Sequence, residues 1–128
     1  MSEKLAIHNR VAWRGAVNDM PAALEEIDVV VQPSLWEGMS LVVMEAMAAG
    51  RVVVASEAAG AGLITNGKTG YVIPVGDTTG LAQTLKNVFD NHSEAVGLAE
   101  AGREYAKQNF SIEDHIRKLE QMYSQLSS

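Results

Sequence analysis

Asp28-Val29-Val30-Val31-Gln32 runs directly into Pro33-Ser34-Leu35-Trp36-Glu37-Gly38-Met39-Ser40-Leu41-Val42-Val43-Met44-Glu45-Ala46-Met47-Ala48-Ala49-Gly50, and Val52-Val53-Val54-Ala55 follows. The two valine runs are unbroken by polar residues, the pattern of strands buried on both faces of a parallel sheet. Pro33-Ser34 ends the first run. Ser40 to Ala49 reads as a helix, and Gly50 supplies the left-handed residue that commonly closes one. Strand, loop, helix and strand in that order make a parallel crossover unit. In such sheets ligands gather where strands end at their carboxyl side, which here is the loop after Gln32. Gly38 lets a backbone approach closely there. The first turn of the helix offers free N–H groups at Ser40, Leu41 and Val42, and these attract an anion.

Two acids stand out in this stretch. Glu45 is the only charge in a helix whose remaining side chains, from Leu41 to Ala49, are apolar around nearly the whole circumference. Such a helix is expected to be buried, and a buried carboxylate needs partners. A vicinal diol, such as a ribose, can donate two O–H groups to one carboxylate. Glu45 lies five residues past the helix start, about 7–8 Å along the axis, a suitable span from phosphate to ribose. Glu37 sits in the loop before the helix, where it can accept hydrogen bonds from sugar hydroxyls.

Outward from this unit the signals are weaker. Val11 to Trp13, closed by Arg14-Gly15, reads as a short strand. Asn18-Asp19 with Pro21 marks a helix start, and that helix carries Ala22, Leu24 and Ile27. Asn66-Gly67 and Thr69-Gly70 are turn pairs around the short strand Tyr71-Val72-Ile73-Pro74. Asp77 caps a helix that presents Leu81, Leu85, Val88 and Phe89 on one face. Ser93 is the expected cap of the next helix, to about Lys107. Ser111-Ile112-Glu113-Asp114 resembles a capping box and opens a last helix with a stripe of Ile112, Ile116, Leu119, Tyr123 and Leu126. The expectation is an α/β domain with a parallel sheet of about four strands and flanking helices, filling residues 1–128 without an internal linker.

Glu37 and Glu45, with seven residues between them inside P-S-x-x-E-G-x-x-L-x-x-x-E-A-M-A-x-G, resemble the signature of the family-4 retaining glycosyltransferases. These enzymes have the GT-B fold, two Rossmann-like domains facing across a cleft. The flanks agree: Val11 to Gly15, Asp28 to Ser34, Val53 to Ser56 and Asn66 to Asp77 match neighbouring blocks in order. The resemblance covers about Leu5 to Leu126. It implies a partial Rossmann-like unit, half of the C-terminal, donor-binding domain, with the N-terminal acceptor domain absent. By position Glu37, Gly38 and Met39 would meet the donor sugar, Ser40 and Leu41 the diphosphate, and Glu45 the ribose. The substrate would be a nucleoside diphosphate sugar, with neither metal nor cofactor. Met39-Ser40 stands where Phe-Gly is commoner and Val52 where Pro is commoner, and the segment Ala58 to Leu63 is about one residue short. In the usual 3-2-1-4-5-6 order the Val11 run would be strand 3 and the Val29 run strand 4, so strand 4 would have an open edge. Either strand 3 moves in beside it, or two copies pair edge to edge.

The bulk composition of the 128 residues narrows the classes. Apolar residues make up 47% and charged residues 20%, enough for a core. A formal net charge of −6 disfavours nucleic acid and anionic membrane as partners. There is no cysteine, which excludes disulfides and thiol chemistry and fits a cytoplasmic location. No run is long and apolar enough for a transmembrane segment. His8, His92 and His115 have no ligand spacing and are expected in solvent. Ser34 and Ser40 have no histidine nearby and are not nucleophiles. Trp13 and Trp36 are expected to pack rather than stack on a base. Taken singly, Glu37 reads as an exposed loop acid, and only the pairing lifts it; for Glu45 a surface place on an amphipathic helix is the alternative to the buried reading. Two other functions fit less closely. One is a non-catalytic nucleotide-binding or docking module that pairs with a separate chain; the other is a nucleotide-sugar epimerase of the same two-domain fold.

Overall fold

The valine runs pair as their composition dictates. In the computed structural model, which describes residues 4–126 (for His115, the backbone only), β1 (Val29–Gln32), β2 (Val52–Ser56) and β3 (Tyr71–Ile73) form one parallel sheet in the order β1-β2-β3. Val29 to Gln32 face Val52 to Ala55 in register, and Val54 to Ser56 face Tyr71 to Ile73. Parallel neighbours need a crossover, and α2 (Leu41–Ala48) makes the first one. α3 (Glu57–Gly60) and a turn-rich loop make the second.

Helix ends follow their chemistry. α1 (Met20–Glu25) is capped by Asp19, whose carboxylate accepts from the Ala22 N–H at 3.0 Å, with Pro21 in the first turn. α2 ends in a Schellman closure, with Gly50 at φ +69°. Its N–H bonds Met47 O and the Arg51 N–H bonds Ala46 O. α4 (Thr78–Asp90) starts at Asp77, which accepts from Gly80 N–H at 2.8 Å. α5 (His92–Asn109) starts one residue before Ser93, with Asn91 at the cap position, so Ser93 lies inside the first turn rather than capping it. α6 (Ile112–Leu126) opens on Ser111, whose hydroxyl accepts from the Asp114 N–H and donates to Glu113. That donation holds the Glu113 carboxyl below its ordinary range.

Side chains alternate across the sheet and build two cores. On one face Val30, Val53 and Ala55 pack with Leu24, Val43, Ala46, Met47 and Ala106. On the other, Val52, with Val29 and Tyr71, packs with Val88, Ala95, Leu98 and Ala99. Burial on that side, together with the charge of Glu94, raises the Tyr71 phenol above its ordinary value. α5 serves both cores, Leu98 in one and Ala106 in the other. It also runs close to the loop before β3, where only Gly102 fits against the Thr69 carbonyl.

Three expectations change. The described residues hold three strands, not about four: the Val11–Trp13 run has no ladder partner and no regular structure, with Trp13 86% exposed. A short apolar run cannot be a strand without a neighbour for its backbone groups. That run therefore does not move in beside β1, whose outer edge is unpaired among the described residues. Trp36 does not pack either, being as exposed as Trp13. The stripe of α6 is exposed along its length, from Ile112 to Leu126.

Candidate functional site

β1 and β2 deliver polar residues to one end of the sheet. Gln32 is the last residue of β1 and Ser56 the last of β2. The loop of residues 33–40 crosses from there into α2. Ser56 Oγ donates to the Ser34 carbonyl at 2.6 Å, which ties the loop to the sheet. Ser34 Oγ donates to Glu37 Oε2 at 2.7 Å, and Gln32 Nε2 donates to the same oxygen at 3.3 Å and to Ser34 Oγ at 2.9 Å. Glu37 is thus a half-buried, hydrogen-bonded acid at the carboxyl end of the strands. Gln32 and Ser56 were not singled out from the sequence, and Ser34 was weighed there only as a nucleophile. The signal available was the polar residue that ends each valine run, with a serine two positions after the first.

Ser40 caps α2. It is 1% exposed, its Oγ accepts from the Val43 N–H at 3.4 Å, and its carbonyl accepts from the Met44 N–H. The first-turn N–H groups of Leu41 and Val42 precede any intrahelical acceptor. The surrounding surface is apolar and open: Leu35, Trp36, Met39 and Leu41 are all exposed. Gly38 is exposed as well. A Cβ placed there meets no atom within 4 Å, and its φ is not in the left-handed region, so nothing inside the chain demands glycine.

Glu45 is not where the helix composition put it. Its side chain is exposed. α2 is apolar on all sides, but only Val43, Ala46 and Met47 are buried. Leu41, Glu45, Ala48 and Ala49 face outward, because α1 flanks that side across a groove without covering it. Burial therefore does not force a partner on Glu45. Its position still matters. Leu41, Glu45 and Ala48 are spaced i, i+4, i+7 on one stripe. Glu45 is four residues from Leu41, about 6 Å along the axis. Glu45 also lines a groove of about 320 Å³ with Met20, Pro21, Leu24, Ala48 and Ala49.

The sequence model of the glycosyl transferases group 1 family matches residues 1–91. The chain belongs to that family. No curated protein matches. Among solved structures, HepE of Anabaena, solved in complex with UDP, is 26% identical with a TM-score of 0.93, over 97% of this chain and 35% of its own. HepE was also solved with UDP-glucose. Sucrose-phosphate synthase of Thermosynechococcus elongatus is 29% identical with a TM-score of 0.88, over 98% and 32%. The C-terminal domain of a group 1 family glycosyl transferase, LpcC of Francisella tularensis, shares the fold at 22% identity and a TM-score of 0.78, over 87% and 59%. The chain spans about a third of the length of HepE and of the synthase. Its sheet is part of the C-terminal Rossmann-like domain of a GT-B glycosyltransferase, with the loop of residues 33–40 at the carboxyl end of the strands.

Proposed function

We propose that this chain carries the donor-binding part of a retaining glycosyltransferase that moves a hexosyl group from a nucleoside diphosphate sugar to a glycan, lipid or small-molecule acceptor. The supporting observation is the convergence at one end of the sheet of three features: a hydrogen-bonded Glu37, the open first turn of α2, and the outward stripe of Leu41 and Glu45. A diphosphate on the Leu41 and Ser40 N–H groups would be favoured by the helix start, which carries about half a positive charge and offsets part of the phosphate charge. The sugar would then lie toward Glu37, Gly38 and Met39, and the ribose along the stripe, within reach of Glu45. Family membership supports the class of donor, and the resemblance of the Glu37–Glu45 signature to that of the family-4 retaining enzymes supports retention of configuration. No metal or cofactor is invoked. Transfer would depend on positioning and on stabilising charge at the departing diphosphate. A cytoplasmic location agrees with the lack of cysteine.

The test is a thermal-shift panel of UDP, GDP and ADP with their glucose conjugates, run on the chain and on Glu45→Ala. A donor that raises Tm for the chain and less for the variant is the expected result. Equal responses would remove the ribose role; no response to any nucleotide would remove donor binding.

A second reading has its own support. Among the described residues the outer edge of β1 is unpaired, and the stripe of α6 is exposed to solvent, which suits a module that docks on a separate chain or on its own copy. Small-angle scattering and crosslinking that find only monomers would remove pairing between copies. Mixing with a candidate acceptor domain and assaying transfer separates a split enzyme from a non-catalytic module.

A further inference from the structure

Resting on that reading of Glu37 as the sugar-facing acid, we infer that Gln32, Ser34 and Ser56 are positioning residues that leave Glu37 one free oxygen, Oε1, for the donor sugar. The hydrogen bonds run in a single direction. Gln32 Nε2 donates to Ser34 Oγ, Ser34 Oγ spends its one proton on Glu37 Oε2, and Gln32 Nε2 also donates to that oxygen. A carboxylate oxygen has two acceptor directions, so two donors fill Oε2. Glu37 therefore meets a ligand through Oε1 and not as a two-oxygen clamp across a diol. The anchor lies deeper. Ser56 is 1% exposed at the end of β2, and its hydroxyl holds the Ser34 carbonyl at 2.6 Å. The acid on the loop is thus registered to the second strand of the sheet, although the residues are 22 apart in sequence. A hydrogen-bonded carboxylate on a strand-anchored loop pays little ordering cost when a hydroxyl arrives, and preorganisation of this kind converts directly into selectivity.

The experiment uses the full chain and two readouts. The first is the ratio of affinities for a glucose conjugate and its parent diphosphate, UDP-glucose against UDP, by calorimetry, with the GDP and ADP pairs as alternatives. Ser34→Ala is expected to cut the gain from the sugar about tenfold, the lower end of the scale of one hydrogen bond to a charged group, while parent diphosphate affinity holds. Ser34→Thr, which keeps the hydroxyl, restores the gain. A structural defect in the loop would lower both affinities together, and that outcome overturns the positioning role. The second readout needs no ligand: NMR couplings of the Glu37 side chain report one rotamer in the original chain and averaging in Ser34→Ala. Averaging in the original chain, or none in the variant, overturns the inference by itself. If the rotamer result holds but no sugar gain exists for any pair, it is the sugar-facing role of Glu37 that fails, not its positioning.

Discussion

The two sides of α2 are built from the same kinds of residue and have opposite fates. Val43, Ala46 and Met47 are fully buried against β1, β2 and α5. Leu41, Ala48 and Ala49, as apolar as their neighbours, face outward beside Glu45. Hydrophobic composition alone does not say which side is core, because burial depends on what else is present to cover the surface. The inner side is explained within the chain. The outer side, with the exposed Leu35, Trp36 and Met39 of the adjoining loop, is apolar surface without an internal use. A surface of that kind beside an open helix start is what the proposed donor site would cover.

The largest effect expected on the inner side is from Met47→Ala. Met47 is 0% exposed between the sheet and α5, so truncation removes transfer energy and leaves a cavity, a loss of about 2–5 kcal/mol in urea denaturation. A loss below about 1 kcal/mol would mean that the inner side is no better packed than the outer one. Gly102→Ala comes next and sets two effects against each other. Alanine in a helix gains about 1 kcal/mol over glycine. Here the new methyl would sit 2.6 Å from the Thr69 carbonyl, which is backbone and cannot swing aside. Overpacking of about 1–3 kcal/mol should win, and a stabilised Gly102→Ala would show that the loop before β3 yields freely.

How much was legible in advance follows the same division. The valine runs, the Asp19 and Asp77 caps and Gly50 state their structure locally, and each forms as read. The Val11–Trp13 run reads as a strand in isolation, but a strand needs a neighbour, and pairing is not written in one segment. Glu45 failed as a buried acid for a related reason: an all-apolar helix can only be buried by elements that pack on every side, and one side here is flanked by α1 across a groove without being covered. The loop acid was visible as a candidate, whereas its hold by Gln32, Ser34 and Ser56 depends on β1 and β2 lying in register, a contact across the fold.

On the outer side the expected changes are in binding rather than stability. Gly38→Ala has open space for its methyl and no left-handed backbone to strain, so denaturation should shift by less than about 0.5 kcal/mol. If a diphosphate sugar lies against that backbone, the methyl displaces it, and affinity for the responding donor should fall about five- to thirtyfold. Unchanged affinity would remove Gly38 from the site.

Leu41→Ala carries an equally small expected change in stability and the sharpest comparison, because Val43 lies two residues away on the same helix. Leu41 is 62% exposed and Val43 is 0% exposed. Truncating Val43 to alanine should cost several times what truncating Leu41 does, although leucine loses more carbon, since Leu41 should stay within about 0.5 kcal/mol of the original chain. Repeating both denaturation curves with a saturating nucleotide then tests what the exposed leucine is for. If ligand covers it, the alanine variant gains less stability from the nucleotide than the original chain does, by linkage between binding and folding. If the gain is identical, Leu41 lies outside the ligand's footprint, and the path from the first turn of α2 to Glu45 runs along another side of the helix.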